Sequence, residues 1–377
     1  MKPFLLLWIS LTVGCGAHRL PQIEMAPITV QASSDGLGVD GLTAEEILLK
    51  ANELSDRGDL KTSFSLLQFV LTHFESSESQ ASALYALGKL ELRRGQTERE
   101  RFHAALAAFD TLVRRYPEAP ESLDGLFKRA LCYEELGEHR KALRSLNRIW
   151  KAEGFDVHDR YTLDLQTGIT KVRMGRERAG LQLIERGLAA TANTDLLPWL
   201  RAKAHTTKAR VLLSAASTLP LTGREKRVVR NLQERARLIQ MAEKEVTLAT
   251  RLKEPDWILE GLYLLGQSFE ALGEAVANSP APSKLSPEAK AYYQEQVQLQ
   301  GQRFQAKAWH HYDEGIALAL RVGYRGYRVQ ALRNARASNA NPTEAHYNDP
   351  NEAPLCCPLP NDTPEEPDPI NEMVPEE

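Results

Sequence analysis

His310, His311, Asp313 and Glu314 are the densest group of metal- and proton-handling side chains in the sequence. His310 and Glu314 are four apart, so on a helix they share a face and could grip one cation. Two side chains fall short of the three or four ligands a zinc site needs. A solvated or partner-facing helix surface is therefore expected, and no metal is assigned. The four cysteines, Cys15, Cys132, Cys356 and Cys357, show no CxxC spacing. Cys132, between Leu131 and Tyr133, reads as a small core residue. Cys356 and Cys357 lie among prolines, where in an oxidising compartment they could pair with each other, pair with another chain, or stay reduced. There is no phosphate-cradling glycine loop, no G-x-S-x-G and no H-E-x-x-H. The sequence assigns no catalytic residue and no cofactor.

Charge narrows the classes further. The 377 residues are 42% hydrophobic and 26% charged, which excludes a collagen-like, wholly disordered or polytopic membrane chain. A net charge of −3 argues against a dedicated nucleic-acid binder. That average hides a split. Residues 338–377 hold ten acidic residues, nine prolines and no Lys or Arg, so the rest carries 47 basic against 40 acidic residues. The acidic segment is expected to be disordered. Between Arg224 and Arg237 lie Arg224, Lys226, Arg227, Arg230, Arg235 and Arg237, with Glu225 and Glu234 among them. Such a face can meet acidic lipid or nucleic acid, or simply be solvated.

The elements that must carry these residues are helices. From Thr43 to about Ala337 the pattern is helical, with no alternating Val/Ile run of the sheet type. Short segments ending in Gly recur at Gly58, Gly95, Gly137, Gly175 and Gly273, spaced 37, 42, 38 and 98 apart. Seven residues before each stands a small residue: Ala51, Gly88, Ala130, Gly168 and Gly266. Seven residues are two helical turns, so the small residue lies on the face of the turn that follows, where a second helix packs. The closing Gly is expected to take a left-handed conformation at a helix end. Ile47, Leu84, Leu126 and Leu262, four before the small residues, are expected to bury on that face.

These small residues, turn glycines and unit-closing prolines such as Pro117 resemble the tetratricopeptide repeat (TPR). The segment from Ser82 to Gly154, with its "ALAAFDTLVRRYPEAPE" stretch, carries the resemblance most fully and is similar to TPR lipoproteins of bacterial envelopes. The resemblance implies an all-α TPR α-solenoid over residues 43–337, of about six helix pairs plus a C-terminal capping helix, with disordered termini. The fifth pair is expected at Trp199–Ala216 and Glu225–Lys253. The sixth begins at Trp257, turns at Gly273 and continues in a helix from about Glu288 to Val322. The last helix, Tyr324 to Ala337, would cap the stack with Arg325, Arg328, Arg333 and Arg336 outward.

In this family the first helix of each pair lines a peptide-binding groove. Carried over unit by unit, the groove positions are Asn52, Tyr85, Lys89, Arg93, Phe127, Glu134, Tyr263 and Gln267. Aromatics and Arg are frequent interface anchors, so the resemblance implies protein partners.

The N-terminus reads as an address. Lys2 precedes an apolar run from Phe4 to Val13, too short to span a bilayer and suited to a signal peptide. Leu11-Thr12-Val13-Gly14-Cys15-Gly16 resembles the lipobox of bacterial lipoproteins, in which the Cys becomes the lipidated first residue; Thr12 stands where Leu is usual. The resemblance implies a signal peptide over residues 1–14, lipidation at Cys15, and an outer-membrane, periplasm-facing protein whose partners are other envelope proteins. The alternative is a secretory signal cut near Ala17 and a periplasmic or secreted protein. Residues 15–42, with Pro21, Pro27, Gly36, Gly38 and Gly41, read as a flexible tether.

Overall fold

Thr43 and Glu46 start the first helix by capping each other. The Thr43 backbone N–H donates to the Glu46 carboxylate at 2.7 Å, and the Glu46 N–H donates to the Thr43 hydroxyl at 3.3 Å. This reciprocal cap satisfies two of the donors a helix start leaves open. From there a computed structural model shows thirteen helices among the residues it describes: 32–33, 36–37, 39, 41–152, 157–192, 194 and 197–338. Cys15, the segment 1–14 expected to be a signal peptide, Cys356, Cys357 and the acidic segment beyond Ser338 lie outside them.

The helices are α1 (Ala44–Arg57), α2 (Leu60–His73), α3 (Ser77–Arg94), α4 (Arg101–Arg115), α5 (Ser122–Glu135), α6 (His139–Ile149), α7 (Val157–Arg173) and α8 (Glu177–Ala190). These form four successive hairpins in a first compact unit, residues 1–190. The second unit, residues 191–377, holds α9 (Pro198–Ser217), α10 (Glu225–Arg251), α11 (Pro255–Ala277), α12 (Pro287–Arg321) and α13 (Tyr327–Ser338). Among the described residues the fold is all-α, six helix pairs and a closing helix, as the resemblance implies. Ahead of α1, Ala32–Ser33 (β1) and Gly36–Leu37 (β2) pair antiparallel in the segment read as a tether. Val39 there is buried and joins the core of the first hairpins.

The packing follows the small residues. Ala51 and Ala130 are fully buried, and Ile47, Leu84, Leu126 and Leu262 are all buried. A Cβ added at Gly88 would come within 2.5 Å of the Phe109 ring. At Gly168 it would meet the Gly180 carbonyl oxygen at 2.7 Å, and at Gly266 it would strike Tyr312. Close helix approach is therefore what these positions provide.

The closing glycines divide into two kinds. Gly58 has φ +91°, where L residues are strained, and the Asp59 N–H after it reaches back to the Leu54 carbonyl at 2.9 Å. Gly137 and Gly175 repeat the pattern, with Glu138 bonded to Tyr133 and Arg176 to Lys171. Gly95 and Gly273 correct the expectation. Gly95 is right-handed, and a Cβ there would lie 2.6 Å from the Phe102 ring. Gly273 is interior to α11, which continues to Ala277, and a Cβ there would lie 2.9 Å from the Gly301 carbonyl oxygen. Both are Gly because a neighbouring helix touches the backbone. In the loop between α9 and α10, by contrast, Gly223 has φ +103°.

The extra residues around Gln96 to Arg101 carry their own ion pairs. Glu91, only 2% exposed, pairs with Arg94 at 2.9 Å and with Arg101 at 3.9 Å, and Arg101 also pairs with Glu98 at 2.7 Å.

The closing helix corrects another expectation. Helix α13 begins at Tyr327, after Arg325, and two of the four arginines expected outward are engaged by neighbouring helices. Arg328 is buried and pairs with Asp256 at 2.8 Å and Glu260 at 3.4 Å, its guanidinium 4.7 Å from the centre of the Trp257 ring. Arg336 bonds Asp313 at 3.2 Å and stacks over Trp309. Arg325 and Arg333 are left outward.

Candidate protein-binding surfaces

The first unit brings four of the eight expected groove residues to the exposed side of its first two hairpins. Asn52 on α1 and Lys89 and Arg93 on α3 are exposed, and Tyr85 on α3 is half-buried. Tyr85 packs edge-on against Phe109 and donates its hydroxyl to Asp124 on α5. The Lys89 ammonium stands 5.4 Å from the centre of the Tyr85 ring, within cation–π range. Arg93 reaches α1, donating to the Ser55 carbonyl at 2.7 Å. Ser82 on the same helix donates to Glu121 at 2.5 Å. The surface is thus an aromatic ring between two cations and two carboxylates, with Tyr85 and Arg93 held by bonds to neighbouring hairpins. Burial and then the Asp124 bond push the Tyr85 phenol well above the usual tyrosine range, so it stays a donor.

Phe127 and Glu134 behave otherwise. Both are buried, at 8% exposure each. Phe127 belongs to the interior of the first unit. Glu134 is covered by α7, whose fully buried Gln166 donates to its carboxylate. Neither side chain is offered to a groove. Tyr263 and Gln267 lie in the second unit, on α11. Gln267 is exposed and donates to the half-buried Tyr263 hydroxyl at 2.8 Å, and the Tyr263 ring lies 6.3 Å from Tyr312.

Asp124 and Glu121 were not among the expected groove positions. They stand 39 residues after Tyr85 and Ser82. The equivalents of Tyr85 and Ser82 one unit later are Phe127 and Asp124, 42 residues on, so the partners lie one helical turn before them and the repeat register alone does not report them.

The histidine group on α12 is divided by packing. His311 stacks on Phe269 at 5.5 Å and faces Glu314 at 3.8 Å, whereas Asp313 is engaged by Arg336. His310 is exposed. Among the described residues no three His, Cys, Asp or Glu side chains converge as metal ligands. Cys132 is fully buried and free, and burial, with Glu135 nearby, pushes its thiol up to about 12.

The basic stretch of α10 is partly structural. Arg235 is buried and donates to the Leu219 and Ser217 carbonyls at 2.7 and 3.1 Å, and Asn231 donates to the Pro220 carbonyl at 2.8 Å. Together they clamp the loop before α10. Arg237 pairs with Glu234. Arg224, Lys226, Arg227 and Arg230 remain exposed. No described helix is long and apolar enough to cross a membrane.

One family match falls on a hairpin of the first unit. A family model described as "Tetratricopeptide repeat" matches residues 124–152, which span most of α5 and all of α6. A comparison with curated proteins gave no match. Among solved structures, a tetratricopeptide repeat protein from Parabacteroides merdae is 16% identical, with 78% of this chain and 97% of that chain covered and a TM-score of 0.42. A TPR repeats protein from Bacteroides fragilis is 14% identical, with 68% and 98% covered and a TM-score of 0.29. At such scores the overall superposition carries no weight. What remains is the match at 124–152, which identifies one tetratricopeptide repeat in the α5–α6 hairpin, beside other hairpins with similar small-residue contacts.

Proposed function

We propose that the chain is a non-catalytic adaptor whose first unit binds an extended segment of a protein partner across the face of α1 and α3. The observation that carries this reading is the set of Asn52, Tyr85, Lys89 and Arg93. Three are exposed, one is half-buried, and the aromatic and one arginine are already fixed by bonds to neighbouring hairpins. Side chains held in place before binding lose less freedom when a partner arrives. Extended surfaces of repeat proteins are suited to such ligands.

The cellular setting proposed is a bacterial envelope, with the chain held to the outer membrane by a lipid on Cys15 and facing the periplasm. Its partners there are other proteins of a machine for outer-membrane assembly, secretion or motility. The support is the resemblance of residues 11–16 to a lipobox. The second reading, a secreted structural or cell-wall-associated protein without lipid, rests on the same apolar start.

Two experiments test these readings. A photo-crosslinking residue at 89 should trap the same partner as one at 52, and Tyr85→Ala should weaken both crosslinks. Equal trapping from a crosslinker at the surface residue 241 of the second unit would overturn the α1–α3 face. Metabolic labelling with palmitate should mark the wild-type chain and not Cys15→Ala. Absence of label in the wild type would remove the anchor and leave the secreted reading.

A further inference from the structure

The third hairpin carries a charge pattern that neither packing nor helix stability explains. From His139 to Lys151 the sequence has five Lys or Arg residues and no Asp or Glu. The first turn of α6 is His139, Arg140 and Lys141, with no acidic residue. Cations there oppose the helix dipole, which favours negative charge at that end. These residues line a cleft of about 610 Å³, together with Arg144 from the next turn of α6, Gly137 and Glu138 from the preceding turn, and Met174 and Arg176 from the turn before α8. Glu138 is the acid of the cleft, and it is taken by Lys141. Arg140, Arg144 and Arg176 are exposed and make no ion pair among the described residues.

We propose that this cleft binds an acidic peptide segment of a partner protein. Three unpaired guanidiniums around one concavity present planar forks suited to carboxylates. Arg148 continues the row at the spacing that puts Arg140, Arg144 and Arg148 on one side of α6, and Lys151 follows it. From Arg140 to Arg148 the helix rises about 12 Å, the length of three or four residues of an extended chain. An extended acidic segment therefore meets a cation at about every second residue. The site uses none of the residues on the α1–α3 face, so the two readings stand or fall separately.

The test is fluorescence anisotropy with a labelled twelve-residue peptide of repeated Glu-Asp-Gly-Ser. It is run on the full-length chain with the ten acidic residues of segment 338–377 changed to Asn or Gln, so that the chain's own acids do not compete. In this background, Arg140→Glu with Arg144→Glu should weaken binding at least tenfold. The same reversal at the exposed Arg114 and Arg115 should change it less than twofold. Acids in the first turns of α6 suit the helix dipole, so the double variant should keep its helical circular dichroism. Binding should also weaken severalfold between 50 and 200 mM salt. No peptide binding at 50 mM salt would overturn the proposal. Equal losses from both reversals would overturn it too, since bulk charge alone would then be at work. A third overturning result is an effect of the Arg140/Arg144 reversal confined to phosphatidylglycerol vesicles, with the peptide unaffected.

Discussion

Tyr85 on α3 donates its phenolic hydrogen to Asp124 on α5, and so joins the first helices of adjacent hairpins beside Lys89 and Arg93. The bond has a charged acceptor and both residues are half-buried, which places it among the stronger side-chain bonds. Tyr85→Phe should cost about 1.5–3 kcal/mol. Asp124→Asn should cost less, because an amide can still accept from the phenol. Chemical denaturation of the two single variants and the double variant should give a positive coupling energy. A coupling near zero would mean that the bond does not hold the hairpins together.

Gly88 and Phe109 make a second testable pair. The ring lies where a side chain at 88 would go, so Gly88→Ala should destabilise by about 1–3 kcal/mol through overpacking. Phe109→Leu alone should cost a similar amount by leaving a cavity. Combined, the new methyl fills part of the space the ring vacates, and the double variant should be more stable than the sum of the two costs implies. Denaturation midpoints of the four proteins decide this.

Much of this architecture is legible in the sequence, and the physical reason is the seven-residue offset. It marks where a second helix touches the backbone, and all five small residues occupy such contacts or fully buried positions. What the offset does not encode is what the chain does next. Gly58 ends a helix, whereas Gly273 sits inside one because α11 continues against α12 and meets Gly301 there. Burial of the groove positions was also hidden. Glu134 has the composition of a surface residue, but the side chain that covers it, Gln166, is 32 positions away. Arg328 reads as a polar cap residue until Asp256 and Glu260, about 70 residues earlier, are placed beside it. The pairings that decide exposure in these cases are distant in sequence, and no local pattern reports them.

Cys132 gives a prediction in pH. Its folded thiol is pushed up to about 12 from an ordinary 9.0, so the unfolded chain gives up its proton first. The contribution is whole below pH 9 and is lost as pH climbs towards 12. Across that window the stability of the wild type should fall by about 1.4 kcal/mol per pH unit more than that of Cys132→Ala. Alkylation supplies an independent readout. With Cys15, Cys356 and Cys357 changed to Ser, the remaining thiol should resist iodoacetamide at pH 9 until denaturant is added.

Arg328 should hold the closing helix. It is 5% exposed and meets two carboxylates and the Trp257 ring. Arg328→Ala removes one partner from Asp256 and Glu260, which keep Tyr324 and Arg210, and should cost about 1–3 kcal/mol. Hydrogen exchange should speed up through residues 327–338 and around 255–260, with α1 to α6 unchanged. Uniform exchange across the second unit would mean that α13 does not open separately.

Gly168 on α7 and Gly180 on α8 differ from Gly88 in what they face. A Cβ at either would meet the other's carbonyl oxygen, at 2.7 and 2.6 Å. A ring can be trimmed by a second substitution, but a carbonyl belongs to every amino acid. No change at one position can therefore make room for a side chain at the other, and the pair has no suppressor. A library randomised at both sites and selected for folding should return glycine at each, so the spacing of this hairpin is fixed against drift in a way that the α3–α4 contact is not.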